Sequence, residues 1–323
     1  MLHFFSNDSP AWSLRRLVQR MGGAWLEPRT GFMFQENTGL TPTTAVGQTV
    51  GLLLDQTQGL ALGPELLTNG GFDSSSGWTL SANNPGIPPT ITGGRLVFNS
   101  PTADYVHARF EFPTLTAGAT FLVEFAYTHT SGFAQILFGG TGTGYSLIPT
   151  ASGQYRLYLK SPGTNQRLEF SRAAGGNNVF EFDNVSVRQI LGNHASQTTT
   201  ANRPTLQQSG NQYFLRQDGT DFLSLSLPAL SGGNYSTAGS VYFATPQGMS
   251  ALHDQSMGTS YTLPALSTDV YGWAVFPSRL KSQDERMLEK YMLRLAGLAA
   301  PDYLLDDMGN ILTDDIGDPL LAG

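Results

Sequence analysis

Residues 191–223 carry the most informative pattern of this chain, LGNHASQTTTANRPTLQQSGNQYFLRQDGTDFL. The stretch opens on Gly-Asn-His-Ala at 192–195, passes through a threonine-rich run, and reaches Asn-Arg-Pro at 202–204. An alternating segment follows at 212–216, and Gln-Asp-Gly-Thr-Asp at 217–221 ends it. Short alternating segments bounded by Gly, Pro, Asn and Asp are typical of strands joined by tight turns. The stretch therefore predicts β-structure rich in turns.

The composition of the whole chain agrees with this interpretation. Its 323 residues allow two ordinary domains with extensions, and 40% apolar residues suffice for real cores. Charged residues make up only 13%, against about 25% in typical soluble domains. The 37 glycines and 18 prolines suit β-sandwiches with many turns. There is no cysteine, so disulfides, cysteine-based zinc sites and thiol catalysis are excluded.

Charge and hydropathy narrow the classes of partner. The net charge is −7 and no stripe of Lys and Arg is visible, so we expect no nucleic-acid partner. Apolar runs such as 52–54 are far too short to span a bilayer, so we expect no membrane partner. Residues 1–21 contain no continuous apolar core of a signal peptide.

Three stretches, 24–62, 191–223 and 271–280, resemble the concanavalin-like (laminin-G-like) β-sandwiches of phage and prophage virion proteins. The last of them, Tyr-Gly-Trp-Ala-Val-Phe-Pro-Ser-Arg-Leu, runs into a helical pattern, as the closing strand of that group does. In that group an Asp like Asp55 is followed closely by the Gly-Asn-His-Ala phrase. Here Asp55 and Gly192 lie far apart in the sequence, which indicates an insertion between them.

The ends of the inserted segment resemble the carbohydrate-binding jelly rolls of the cellulose- and xylan-binding type. One end reads Asn-Gly-Gly-Phe-Asp at 69–73 followed by Gly-Trp at 77–78, and the other reads Asp-Asn-Val-Ser-Val at 183–187. Because Trp78 belongs to the opening motif, we expect it to be buried. Alternating segments at 95–98, 121–127 and 154–159 lie between them. Their period of two, with one apolar face, is what a sandwich needs.

The predicted fold is therefore all-β, with two β-sandwiches, a jelly roll inserted within a concanavalin-like sandwich, a short N-terminal helix and one C-terminal helix. The predicted boundaries are 1–23 for an N-terminal helical anchor, 24–62 plus 190–300 for the first sandwich, 63–189 for the inserted jelly roll, and 301–323 for an acidic tail.

Two segments have helical patterns. In 9–21, Ser9 is a plausible N-cap and Pro10 suits the first helical position. The apolar stripe of this helix packs on its own protein or anchors the chain to an acidic partner subunit. The second segment, 278–297, contains a capping box from Ser282 to Glu285 and ends at Gly297. Its apolar stripe, which we expect to pack against the sandwich, consists of Leu288, Tyr291, Met292 and Leu295.

The jelly-roll resemblance implies candidate ligand sites. Members of that group often hold a structural Ca²⁺ between their first and last strands, which here implies Asp73, Asp183 and Asn69 as ligands. Oxygen ligands of this kind suit Ca²⁺, and the alternative is that these carboxylates cap backbone amides. The candidate sugar platform consists of four aromatic residues, which alternatively belong to the core: Tyr105, Tyr127, Phe133 and Tyr155.

No catalytic constellation emerges from the sequence. The five histidines are scattered, and carboxylates such as Glu65, Glu124 and Glu169 have no spacing that selects a pair for glycoside hydrolysis. The resemblance implies a non-enzymatic bacteriophage virion protein of the tail fibre, collar, baseplate or capsid-decoration type, assembled in the host cytoplasm. Its expected partners are other virion proteins, further copies of itself, and a host surface polysaccharide. A free-standing carbohydrate-binding protein or a component of a glycan-degrading enzyme is the alternative.

The C-terminal tail is an eight-residue repeat in which Leu304, Leu312 and Leu320 align. Between 302 and 318 it holds six Asp and no basic residue. It is too apolar for a typical solvated tail, so we predict that it docks on another subunit as an assembly element. A disordered acidic tail is the alternative.

Overall fold

A computed structural model describes residues 13–101, 104–139, 146–164, 166–172, 176–227 and 239–299. The chain divides into two compact units. Among the described residues, the first unit consists of 13–36, 42–60 and those from 192 onward, and the second consists of 37–41 and those between 61 and 191. The tail, with Leu304, Leu312 and Leu320, lies outside the described residues. Within the described residues, strands dominate and two α-helices accompany them, which confirms the predicted all-β class.

The first unit contains three antiparallel sheets. The strands of the four-stranded sheet are, in spatial order, β1 (Ala24–Leu26), β23 (Gly272–Phe276), β19 (Gly239–Thr245) and β20 (Gly248–Gln255). Those of the five-stranded sheet are β2 (Met33–Phe34), β3 (Leu52–Leu53), β15 (Ala195–Ser196), β18 (Ser224–Ser226) and β21 (Ser260–Thr262). Those of the small sheet are β16 (Thr205–Ser209), β17 (Gln212–Arg216) and β22 (Asp269–Val270).

The N-terminal helix of this unit, α1 (Leu14–Met21), begins later than the sequence pattern predicted. Ser13 has extended backbone angles and its hydroxyl accepts the amide of Arg16, so Ser13 is the N-cap of α1; Ser9 and Pro10 lie outside the described residues. Leu17 and Val18 are buried in one cluster with residues of β1 and β23. The apolar face of α1 therefore packs on its own unit.

The C-terminal helix, α2 (Ser282–Leu295), is confirmed, but its predicted capping box is wrong. Lys281 is the N-cap residue and Ser282 is already helical. The carboxylate of Glu285 lies 3.7 Å from His253 Nε2 and 4.0 Å from Arg279 Nη2. A tertiary contact thus draws this side chain away from the helix terminus.

The Gly-Asn-His-Ala sequence at 192–195 provides hydrogen-bond partners for a buried carboxylate, Asp55. Asp55 is fully buried, and its Oδ1 accepts hydrogen bonds from the amides of Trp25 (3.0 Å) and Thr57 (2.9 Å). Its Oδ2 accepts the amide of Asn193 at 2.8 Å, and its own amide donates to His194 Nδ1 at 3.0 Å. A buried charge needs such a set of donors. The two chain segments that flank the second unit are therefore tied together by polar contacts within the first unit.

The second unit is built on two antiparallel sheets, the two-layer arrangement of a jelly-roll sandwich. The strands of the five-stranded sheet are, in spatial order, β11 (Ser146–Leu147), β10 (Ala134–Phe138), β13 (Arg167–Arg172), β8 (Val106–Glu111) and β5 (Trp78–Ala82). Those of the six-stranded sheet are β12 (Gly153–Lys160), β9 (Thr120–Ser131), β14 (Asn178–Ile190), β7 (Arg95–Ser100) and β6 (Thr90–Thr92), with β4 (Leu62–Glu65) paired to β14.

An aromatic core fills this second unit. The rings of Phe170 and Phe182 stack with centroids 4.1 Å apart, and Phe125 meets both rings edge-on. Trp78 is buried beside Phe170, as the sequence predicted. Aromatic pairs of this geometry contribute about 0.5–1.5 kcal/mol each beyond area burial. Residues at alternate positions of each strand are thereby fixed inward, and their neighbours point to the opposite face.

A short segment of the predicted first sandwich belongs instead to the second unit. Residues 37–41 cluster with it, and the carbonyl of Thr38 accepts the amide of Tyr158 at 2.7 Å. Gly39 packs against the ring of Tyr158 with a φ of 66°. A Cβ at this glycine would lie 2.3 Å from that ring, so the close approach requires glycine.

Candidate functional site

The outer face of the five-stranded sheet in the second unit is the candidate site. Val106, Ala108 and Phe110 of β8 are buried in the core, so the residues between them point away from it. The strand register aligns one outward residue from every strand in a single row: Ser81, His107, Ser171, Gln135 and Leu147. At an interstrand spacing of about 4.8 Å, five strands give a row of roughly 19 Å. We call this set the polar row.

A buried carboxylate lies in the next row of the same face. Glu169 on β13 has no exposed side-chain surface, and its Oε2 accepts two hydrogen bonds from Arg109, at 3.0 Å from Nε and 2.9 Å from Nη2. Arg167 Nε lies 3.2 Å from the same oxygen, and Tyr105 donates its hydroxyl to Oε1. Two guanidinium groups and a phenol thus hold one carboxylate beneath the surface of the face.

The electrostatics of this face follow from burial and from that carboxylate. Burial lowers the pKa of Arg109, and the hydrogen bond and charge of Glu169 more than offset this, so the pKa lies above its usual value. Burial lowers the pKa of His107, which outweighs the attraction of Glu169. The arginine is therefore charged and the histidine is neutral at pH 7.

The polar row presents groups that can form hydrogen bonds with a ligand. Gln135 donates its amide to the hydroxyl of Ser171 at 3.0 Å, which fixes the orientation of the amide. The Nδ1 atom of His107 is buried without a hydrogen-bond partner among the described residues. The ring of Tyr105 lies 5.0 Å from that of His107, and Leu147 ends the row with 62% of its surface exposed. Oriented amide, hydroxyl and imidazole groups beside one apolar end and the ring of Tyr105 suit a neutral polyhydroxylated ligand.

The four aromatic residues predicted as a sugar platform do not form one surface. Tyr105 adjoins the polar row, and Phe133, 51% exposed, lies at the turn between β9 and β10. Tyr127 is 2% exposed, and burial raises its pKa, so it presents no ring face to a saccharide. Tyr155 packs partly buried against Phe125. Tyr127 is corrected to a core residue, because inward positions of β9 fill the sandwich.

The residues predicted to bind calcium give a different arrangement. The side-chain amide of Asn69 donates to the carbonyls of Ser74 (2.7 Å) and Ser76 (2.9 Å), so it presents nitrogen rather than oxygen to them. Asp183 Oδ1 accepts the amide of Asn184 at 2.7 Å, and Asp73 is exposed. Within the described parts of the chain, no group of three or more His, Cys, Asp and Glu is placed to hold a metal ion.

Asn69 does not fit as a calcium ligand, because its side-chain nitrogen already donates to the carbonyls of Ser74 and Ser76. The contact of Asp183 matches the alternative of backbone capping. The jelly-roll resemblance still implies calcium at Asp73 and Asp183, whereas the contacts of Asn69 argue against it, and the chelation experiment described below decides between the two.

Sequence reasoning did not select His107, Arg109, Gln135 or Ser171. The sequence did contain a signal. In β8 and in β13, polar and apolar residues alternate, and Glu169 is one of the polar residues of β13. Each strand alone is typical of any half-buried strand. The pairing of Arg109 with Glu169, sixty positions apart in the sequence, is visible only in the tertiary structure and marks this face as the candidate site.

Comparisons with known proteins concern parts of the chain. No family model and no curated protein sequence matches it. Its structure is similar to the enzymatically active domain of bacteriophage CBA120 tailspike protein 4, with 19% identity and a TM-score of 0.31 over 39% of this chain and 21% of that one. The chain thus spans about a fifth of the tailspike domain.

Carbohydrate-binding modules are also similar to part of the chain. A family 11 module from Clostridium thermocellum, in complex with a β-1,3-1,4-mixed-linked tetrasaccharide, has 11% identity and a TM-score of 0.30 over 41% of this chain and 98% of the module. A family 4 module has 12% identity and a TM-score of 0.28 over 38% and 98%. At such values the likeness says nothing about ligand or role.

No helix within the described residues is both long enough and apolar enough to cross a bilayer.

Proposed function

We propose that this chain is a structural protein of a bacteriophage virion whose second unit binds a host surface polysaccharide without cleaving it. The polar row is the observation that supports this proposal. It offers the amide of Gln135, which the buried hydroxyl of Ser171 orients, together with the hydroxyl of Ser81 and the partly exposed imidazole of His107. Such groups match the hydroxyls of a saccharide, whose chain can extend across several strands.

The buried carboxylate favours binding over hydrolysis. Glycosidases use two carboxyl groups that flank the scissile bond, about 5–10 Å apart. Glu169 is held by Arg109 and Arg167 and has no exposed surface. Its role in the proposal is therefore to position the two arginines rather than to exchange protons with a substrate.

Affinity electrophoresis of the full chain tests the binding proposal. The gels contain mixed-linkage β-glucan, xylan, mannan or a bacterial capsular polysaccharide, and one of them should retard the protein. The Gln135→Ala and His107→Ala variants should bind that polymer about tenfold more weakly, since each loses one hydrogen bond of about 1 kcal/mol and local shape.

The matched controls are Gln154→Ala, an exposed glutamine of β12, and His129→Ala, a partly exposed histidine of β9. Both belong to the six-stranded sheet, and both should bind as the wild type does. Equal retardation of all four variants would refute the assignment of the site, and release of reducing ends from the retained polymer would favour the glycan-degrading alternative.

The virion assignment rests on the resemblance of 24–62, 191–223 and 271–280 and has its own test. Mass spectrometry of purified particles should detect the protein at a fixed copy number. Its absence from particles, together with polysaccharide binding, would favour a free-standing carbohydrate-binding protein.

A further inference from the structure

The first unit contains a cavity of about 420 Å³ that the proposed function does not use. Ligand sites typically measure about 300–1,000 Å³. The cavity is lined by the β1–β2 loop, the β16–β17 turn, Tyr271 and the last turn of α2, with these residues: Glu27, Pro28, Arg29, Thr30, Asn211, Gln212, Tyr213, Tyr271, Arg294 and Leu295.

The C-terminus of α2 forms a fixed wall of this cavity. Gln212 donates its amide to the carbonyl of Arg294 at 3.0 Å. The amides of Gly297 and Leu298 donate to the carbonyls of Arg294 (3.0 Å) and Leu293 (2.9 Å). Since these terminal carbonyls have donors, the helix end presents little of its negative potential to the cavity.

The carboxylate among the lining residues is already neutralised. Glu27 Oε1 accepts a hydrogen bond from Arg29 Nε at 2.8 Å, and Oε2 accepts one from the hydroxyl of Tyr291 at 2.8 Å. Burial and the charge of Glu27 raise the pKa of Tyr291, so this hydroxyl stays a donor. The side chain of Glu27 is 9% exposed.

The remaining charge of the lining is positive. Arg29 uses Nε for Glu27, and its side chain is 53% exposed. Within the described residues, no carboxylate lies within 4 Å of the Arg294 guanidinium. The guanidinium in excess can pair with a carboxylate, and the neighbouring side chains of Tyr213 and Tyr271 can contact the ring that carries it.

We infer that this cavity is a second ligand site, which binds a carboxylated saccharide unit such as a uronate. Arg294 pairs with the carboxylate, and the side chains of Gln212 and Asn211 and the Tyr213 hydroxyl contact sugar hydroxyls. The site is independent of the polar row, because all of its residues belong to the first unit.

Isothermal titration of the full chain with digalacturonate tests the inference, with neutral galactobiose as the matched ligand. Digalacturonate should bind and galactobiose should bind at least tenfold more weakly. Raising the salt concentration should lower the affinity for digalacturonate but not the affinity for galactobiose, because only the acidic ligand makes an ionic contact. Equal binding of both sugars, or no binding of digalacturonate up to millimolar concentrations, would overturn the inference.

Substitutions locate the site. Arg294→Gln should lower the affinity for digalacturonate by about tenfold or more, because it removes a charge-assisted hydrogen bond. Lys281→Gln makes the same charge change at the other end of α2 and should leave the affinity unchanged. Gln135→Ala should also leave it unchanged, which separates this site from the polar row. Wild-type affinity in Arg294→Gln would refute the placement.

Discussion

The two sheets of the second unit place their charges differently on their outer faces. On the six-stranded sheet, Arg156 Nε lies 2.9 Å from Glu124 Oε1, and Arg188 Nη2 lies 3.4 Å from Glu124 Oε2. The side chains of Arg156 and Glu124 are 62% and 29% exposed. On the five-stranded sheet, the carboxylate of Glu169 is wholly buried beneath Arg109. The first arrangement is a solvated network of ions, and the second is a sequestered charge next to a neutral row.

This difference matters because the number of charges does not decide the properties of a face. Exposed pairs are screened by water and contribute about 0–1 kcal/mol. A buried carboxylate depends on its partners, and losing one member of such a set costs about 3–5 kcal/mol. The five-stranded sheet therefore keeps the charge of Glu169 buried under its outer face, whereas the six-stranded sheet exposes its ion pairs to solvent.

The largest expected effect comes from removing the buried carboxylate. Glu169→Ala should destabilise the second unit by about 3 kcal/mol, because Arg109 and Arg167 lose their common partner. Hydrogen exchange in increasing urea, resolved by peptide, measures this unit separately from the first. The matched variant Glu124→Ala should cost less than about 1 kcal/mol. Similar losses in both variants would abolish the distinction between the two faces.

A smaller loss of stability is expected at the turn formed by residues 69–78, which is hydrogen-bonded to β14 of the six-stranded sheet. The amide of Val185 donates to the carbonyl of Gly70 at 2.9 Å, so the 69–78 turn rests on that strand. Asn69→Ala should cost about 1–2 kcal/mol, because two carbonyls lose their donor and because alanine is disfavoured at a φ of 62°. The control is Asn99→Ala at an exposed position of β7, which should leave the stability unchanged in the same hydrogen-exchange measurement.

The melting temperature of the full chain, measured with and without EDTA, tests the predicted calcium. We expect EDTA to leave the melting temperature of the wild type unchanged, because the Asn69 amide already satisfies the carbonyls of Ser74 and Ser76. A lower melting temperature in EDTA, restored by excess calcium, would instead establish the metal that the jelly-roll resemblance implies.

The smallest effect concerns the pH dependence of stability. Burial lowers the pKa of His107 in the folded chain, so the unfolded chain binds its proton more readily. This group should not affect stability above the unfolded pKa near 6.5, and it should reduce stability as the pH falls from there toward the folded pKa. His107→Gln should therefore flatten the loss of stability between pH 7 and 5. An unchanged slope in His107→Gln would contradict the assignment.

Helix α2 shows how far local pattern reaches. The apolar spacing around Leu288 and Met292 predicted a buried stripe, and both residues are buried. Gly297 was predicted as the end, and it follows the last helical turn with a φ of 71°. The capping box was wrong, because Glu285 lies near His253 and Arg279. The local pattern thus located the helix, but tertiary contacts determined the position of the Glu285 side chain.

The candidate site was less predictable than the helix. Aromatic residues were chosen as a platform because rings stack on sugars, yet Tyr127 fills the core and Tyr155 packs against it. Alternation along a strand shows that one face is apolar. It does not show which polar residues of distant strands lie side by side.

The sequence by itself determined the all-β class, the two helices and the burial of Trp78, because turn chemistry and the periods of 2 and 3.6 act over a few residues. Only the tertiary structure brought Glu169 to Arg109, Gln135 to Ser171, and Arg294 to the cavity with Arg29. Strand order and register decide such meetings, and they depend on the packing of the whole core rather than on any local segment.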